Sequence, residues 1–195
     1  MVTWPIAPST TLSWREIELR LATPGDALEL FEALDHDDCW SHVRGRPESE
    51  DDVVQVVIDA TRMGRWMWVV RKSGSVVGTT SYLDVVPADE RLEIGFTVYR
   101  RDAWATDVNP ACKLLLMGWA FDHGFGRVQL KTDIRNERSQ AAIARLGAVR
   151  EGVLRRYQRR QDGTMRDTVM YSVIREEWPT VQEQLITRLS ATAGP

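Results

Sequence analysis

A strand, a polar turn, a helix and a second strand follow one another within residues 91–147, and that succession restricts the chain to folds built on a βαβ unit. The first strand is Arg91-Leu-Glu-Ile-Gly-Phe-Thr-Val-Tyr99 and the turn covers residues 100–108. A helix over about 109–123 leads into the strand Arg127-Val-Gln-Leu-Lys-Thr-Asp133, and a last helix over 136–147 ends at Gly147. A backbone-rich turn at a helix mouth suits a phosphorylated ligand, because free N–H groups and the helix dipole both point at the anion.

The flanking chain supplies the rest of an α/β domain. Residues 1–14 hold two prolines and a Ser-Thr-Thr run, and read as an irregular arm docked through Trp4 or Trp14. Residues 16–21 alternate as a strand, and Thr23-Pro24 opens a helix as N-cap and first helical position. Residues 36–47 read as a loop, followed by a helix from Ser49 to near Gly64. Trp66–Lys72 and Ser75–Val86 form a hairpin across Ser73-Gly74, with Trp66 and Trp68 sharing a core face. Extended stretches over 149–160 and 165–173 meet at Asp162-Gly163, and a helix from near Glu176 closes the chain. The division expected is an arm (1–15), one domain (16–190) and a tail (191–195).

Composition excludes more than it selects. A net charge of −3 gives no general attraction to nucleic acid or anionic membrane. No apolar run reaches bilayer length, and the first residues lack the basic and apolar parts of a signal peptide. Two cysteines, Cys39 and Cys112, are too few for a disulfide framework and suit a reduced, cytoplasmic protein. His36, Asp37, Asp38, Cys39 and His42 match no zinc spacing, so no metal is expected.

Three short segments carry a family likeness. Leu92-Glu-Ile-Gly-Phe96, Asn136-Glu-Arg-Ser139 with Ala141-Ala-Ile-Ala-Arg-Leu-Gly147, and Glu151-Gly-Val-Leu-Arg155 stand in order along the chain. Together they resemble the GNAT superfamily of acyl-CoA N-acyltransferases, most closely its RimJ/RimL ribosomal-protein branch. The resemblance implies a single-domain α/β fold, a mixed and mostly antiparallel sheet of about seven strands with helices on both faces. Its fourth and fifth strands, here residues 93–99 and 128–132, would splay apart. It implies acetyl transfer from acetyl-CoA to an amine, a protein N-terminus or a small molecule, by direct attack in a ternary complex. A weakly catalytic GNAT-like domain that binds acyl-CoA or a protein is the alternative. Homodimers are common in the family, so a homodimer is expected.

Residue by residue, the family's pyrophosphate loop falls on Trp104, Ala105, Thr106, Asp107, Val108 and Asn109. Phe96, Thr97, Val98 and Thr132 would border the pantetheine arm. Asn136 would hydrogen-bond that arm, and Ser139 would donate to the departing thiolate or merely cap its helix. Asp107 and Asn109 replace small residues of the family loop, and Trp104 replaces its Gln or Arg. An inward-facing Asp107 would oppose phosphate. The family's exit-strand glutamate is Gln158 here, which leaves Glu93 as the ionisable alternative, either a general base or a structural carboxylate. Asp37, Asp38, Trp40 and His42 would border the acceptor, their carboxylates suited to a cationic amine, or form a plain polar loop. Tyr157 is a second candidate acid or a packed aromatic. Arg100, Arg101, Lys113, Arg135 and Arg138 are phosphate-binding candidates or solvated charges.

Overall fold

The computed structural model describes residues 1–191. The chain enters through β1 (Thr11–Trp14) and β2 (Ile17–Leu21), then α1 (Ala27–Leu34), the short α2 (Asp37–Trp40) and α3 (Glu50–Arg62). Strands β3 (Trp66–Lys72), β4 (Ser75–Val86) and β5 (Arg91–Tyr99) precede α4 (Val108–Asp122) and β6 (Arg127–Asp133). The chain closes with α5 (Glu137–Ala144), β7 (Val149–Arg159), β8 (Met165–Ile174) and α6 (Trp178–Ala191). One open sheet holds 8 strands in the order β1-β2-β3-β4-β5-β6-β8-β7.

Alternation along the strands sorts side chains to two faces. Trp68, Tyr82, Leu92, Ile94, Val128 and Val173 point to one face and meet Leu116, Met117 and Leu185 of α4 and α6. Met67, Val69, Val76 and Val98 point to the other, against Leu30, Leu34, Val53 and Val57 of α1 and α3. Trp66 lies with Trp68 on the α4 side. Helix α3 starts where Ser49 accepts a hydrogen bond from the Asp52 N–H, at 3.2 Å.

Three expectations change. The sheet has one strand more than about seven, because Thr11–Trp14 pairs with β2 and is no irregular arm. Its short polar sequence hides a strand whose partner is the next segment. The arm does dock through Trp4, whose ring meets Trp66 at 4.6 Å, Phe125 at 5.7 Å and Trp119 at 5.9 Å. The loop after α1 contains α2, pinned by the Trp40 Nε1 bond to the Leu34 carbonyl at 2.8 Å. The last helix continues through Ala191, so the expected tail begins inside it, and residues 192–195 lie outside the described region.

The feature that prepares a site is the parting of β5 from β6. These parallel strands pair only at Arg91–Arg127, Leu92–Val128 and Glu93–Gln129. Beyond them β5 bulges away. Thr79 faces Val98 and Ser81 faces Gly95 on β4, so Phe96 and Thr97 share one opposing residue. Phe96 takes the left-handed region, φ 45°, a conformation that costs a bulky residue free energy and marks a constrained site. The two facing strand edges past Glu93 and Gln129 bear backbone groups with no ladder partner in each other.

Candidate active site

The turn between β5 and α4 is built from backbone. The N–H groups of Ala105, Thr106, Asp107 and Asn109 donate to no acceptor among the described residues, and Pro110 has none to donate. Ala105 has φ 59°, which curls the turn so that successive N–H groups converge. The Thr106 hydroxyl holds the curl, donating to the Ala103 carbonyl at 2.8 Å and accepting from the Val108 N–H at 3.3 Å. Asp107 does not oppose an anion here. Its carboxylate turns back to Lys72 on β3, at 2.7 Å.

A cleft of about 490 Å³ opens beside this turn, lined by Asp38, Ser41, His42, Arg101, Trp104, Arg135, Asn136, Glu137 and Arg138. Trp104 is fixed by its indole bond to the Tyr99 carbonyl at 2.9 Å, and the Arg138 guanidinium lies over its ring at 3.7 Å. Among the described residues Arg138 and Arg135 have no carboxylate partner, and both line the cleft, whereas Arg100 is bound to Asp102 and Arg101 to Asp38. Lys113 is buried and does not line the cleft. It donates to Thr97 Oγ1 at 3.0 Å and Thr80 Oγ1 at 3.4 Å, and burial pushes its pKa down to about 8.

Asn136 and Ser139 act on each other. The Asn136 carboxamide oxygen accepts the Ser139 N–H at 3.0 Å and caps α5, which leaves its NH₂ group and the Ser139 hydroxyl without partners among the described residues. Thr97 points its hydroxyl toward α4, Val98 is buried against α1 and α3, and Thr132 is buried on the α4 side. Those three offer backbone, rather than side chains, to the gap between the strands.

Glu93 stands at the vertex, the last β5 residue paired with β6. Its side chain is buried, with a carboxylate oxygen 2.5 Å from Lys131 Nζ. Lys131 also reaches Asp84 at 3.1 Å and the Tyr157 hydroxyl at 3.4 Å. Burial raises the Glu93 pKa to about 7 although Lys131 pulls it down, while Asp84 and Glu93 together hold the Lys131 pKa above its usual value. Gly95 makes room for this arrangement, since a Cβ there would lie 2.8 Å from Glu93 Oε1. The Glu-Ile-Gly motif is thus one steric unit, an acid and the space its carboxyl occupies.

The loop residues separate. Asp37 is paired with Arg46 and Asp38 with Arg101, so neither carboxylate is free for a cationic amine as expected from the sequence. Trp40 packs beneath as a structural residue. His42 is exposed on the cleft and its pKa is lowered, first by desolvation and then by neighbouring Arg138, Arg166 and Arg160. Gln158 is exposed on β7 opposite Arg166. Sequence reading missed Lys131 and Asp84; the one signal was the polar alternation Gln129, Lys131, Asp133 along β6, which marks a face without an apolar cover.

The family description Acetyltransferase (GNAT) domain matches residues 16–149. The chain belongs to the GNAT acetyltransferase family. A solved structure from T. thermophilus, provisionally called an acetyltransferase, is 32% identical with TM-score 0.86, over 96% of this chain and all of that one. YdaF of Bacillus subtilis (strain 168), provisionally named a ribosomal N-acetyltransferase, is 26% identical over 83% of this chain and 93% of its own. Mycobacterium smegmatis RimJ, solved with CoA-disulfide, shares the fold at TM-score 0.77 and 19% identity, over 92% of this GNAT chain and 93% of its own. Among the described residues no group of three or more His, Cys, Asp and Glu could hold a metal.

Proposed function

We propose that this GNAT protein transfers acetyl from acetyl-CoA to a primary amine by direct attack in a ternary complex. The observation that carries the reading is Glu93, a buried carboxyl with pKa near 7 at the point where β5 and β6 part. A general base tuned to the working pH removes a proton with most effect there. In this reading the free N–H groups of Ala105, Thr106, Asp107 and Asn109 hold the diphosphate, with Arg135 and Arg138 beside them. The unpaired strand edges at 96–98 and at Thr132 take the pantetheine amides, and the Asn136 NH₂ donates to the same arm.

The chemistry then balances in few steps. The neutral amine nitrogen attacks the thioester carbonyl, a C–N bond forms, and the ammonium proton passes to Glu93 directly or through water. The tetrahedral oxyanion collapses, the C–S bond breaks, and the Ser139 hydroxyl or Tyr157 donates toward the departing sulfur. Lys131 holds the Glu93 carboxyl in place and tempers its pKa. Orientation supplies the larger share of the rate, since two reactants are held in one cleft.

The weakly catalytic alternative drew on Asp107 and Gln158. With Asp107 bound to Lys72, only Gln158 still favours it. A cytoplasmic homodimer is part of the proposal, tested by light scattering on the purified chain; among the described residues no helix is long and apolar enough to cross a membrane. Thermal unfolding with acetyl-CoA tests cofactor binding. Stabilisation by about 2.7 kcal/mol is expected at a hundredfold excess over Kd. Absence of a shift contradicts the reading.

A further inference from the structure

The acceptor side of the sheet carries cations where the polar loop suggested anions. Glu93, Gly95, Lys131, Asp133, Thr168 and Arg166 share one face by strand register, and α1 and α3 pack mainly on β3 and β4 of that face. Arg65 lies on the same face, beside Met67, with its guanidinium 4.7 Å from the ring of the bulged Phe96.

Among the described residues, two arginines on this face form no ion pair with a carboxylate. Among the described residues every other arginine without a carboxylate partner is exposed, whereas Arg65 and Arg166 are half-buried. Arg65 bonds only to the Met67 sulfur at 3.6 Å, and its buried Nε has no partner. Arg166 has only the Thr168 hydroxyl, at 2.9 Å. The nearby carboxylates are committed, Asp133 to Arg160 at 2.6 Å and Asp84 and Glu93 to Lys131. Desolvation lowers the pKa of both guanidiniums; for Arg65 nothing offsets it, and for Arg166 the more distant charges of Asp133 and Glu93 offset it only in part. A half-buried guanidinium with an empty fork is disfavoured unless a ligand completes it, and a carboxylate does so bidentately.

We infer that the acceptor is a primary amine carrying carboxylate groups, which Arg65 and Arg166 recognise while the amine faces Glu93. This rests on the acetyl-transfer reading for its chemistry, but not for its charge preference. The selection works by exclusion as well, because a polyamine or a Lys-rich peptide would bring further cations to a face already in excess.

The test compares matched acceptors with acetyl-CoA, reading thiol release. A peptide with Glu at its second and third positions is set against its Gln isostere and a Lys counterpart, and free glutamate against free glutamine. The expected result is a kcat/KM about tenfold or more higher for the acidic member, a preference that shrinks with added salt. Preference in the peptide pair alone identifies a peptide acceptor; preference in the amino-acid pair identifies a small molecule. Arg65→Gln and Arg166→Gln should each bring the acidic-to-neutral ratio toward one, and Arg166→Lys should retain part of it. Unfolding midpoints and the acetyl-CoA shift of each variant report whether it folds. In parallel, binding of the acidic and neutral peptides to the acetyl-CoA-loaded protein is measured by calorimetry. Tighter acidic binding without turnover sustains the inference and defeats acetyl transfer. Equal binding and turnover of the two peptides, or preference for the Lys peptide, overturns the inference.

Discussion

The two sides of the cleft are made of different material. The cofactor side is backbone: free N–H groups in the turn before α4, unpaired strand edges past Glu93, and a carboxamide that caps α5. The acceptor side is side chain: Glu93 and Asp84 around Lys131, with Tyr157 and Arg166 nearby and Arg65 on the same face beside Phe96. A backbone site depends on the path of the chain and tolerates an unusual residue, provided its side chain finds somewhere else to go. Asp107 does so through Lys72. A side-chain site depends on each identity and charge, so substitutions there change both rate and choice of substrate.

Breaking the acceptor side should have the largest effect. Glu93→Gln keeps the shape and the Gly95 space but removes the base, and kcat/KM in a thiol-release assay should fall by about 10²–10⁴. A loss below threefold would return Glu93 to a structural role. The second effect separates stability from chemistry. Lys113 is a buried amine that only hydroxyls contact, and Thr80 and Thr97 bond each other at 2.8 Å without it. Its folded pKa near 8 lies below the 10.5 of the free amine, so the unfolded chain binds the extra proton between those values. Stability should therefore rise as pH increases from about 8 to about 10.5, and Lys113→Met should abolish that rise. At neutral pH the variant should be more stable by roughly 1–3 kcal/mol in urea denaturation, since a buried cation has been replaced by an apolar chain. A destabilised Lys113→Met would show that the amine's hydroxyl contacts outweigh its desolvation.

Smaller effects should come from the backbone side. Trp104→Ala removes the surface under Arg138 and the tether to Tyr99, and KM for acetyl-CoA should rise about tenfold with kcat little changed. A fall in kcat alone would place Trp104 with the chemistry instead. Asp107→Gly should do least. The pair it breaks is about one-third exposed on each partner, so stability should change by less than about 1 kcal/mol. KM for acetyl-CoA should stay within about twofold, because the N–H groups remain. A large rise in KM would mean that the carboxylate fixes the turn.

The same division explains what could be read from sequence. The ranges Trp66–Lys72, Ser75–Val86, Arg91–Tyr99 and Arg127–Asp133 follow from alternation bounded by turn residues, and the structure has strands at those positions. The anion-binding turn was legible for the same reason, as a consequence of strand-to-helix order. The fate of each charge was not. Lys72 lies 35 residues before Asp107, and Arg101 lies 63 after Asp38, so those pairings exist only once the sheet is assembled. Arg65 and Arg166 carry no local signal, since their meaning comes from lacking a partner on a shared face. Strand β1 escaped because four residues of mixed polarity have too short an alternation to register.

The pH dependence of kcat/KM, compared between the wild-type chain and Glu93→Gln, tests the central claim most directly. The raised Glu93 pKa predicts a rate that climbs as pH rises through about 7, when the buried carboxyl loses its proton and can accept one from the amine. That limb should vanish in Glu93→Gln, leaving only the titration of the acceptor itself. A limb of the same midpoint in both proteins would contradict the account, because the titrating group would then lie elsewhere.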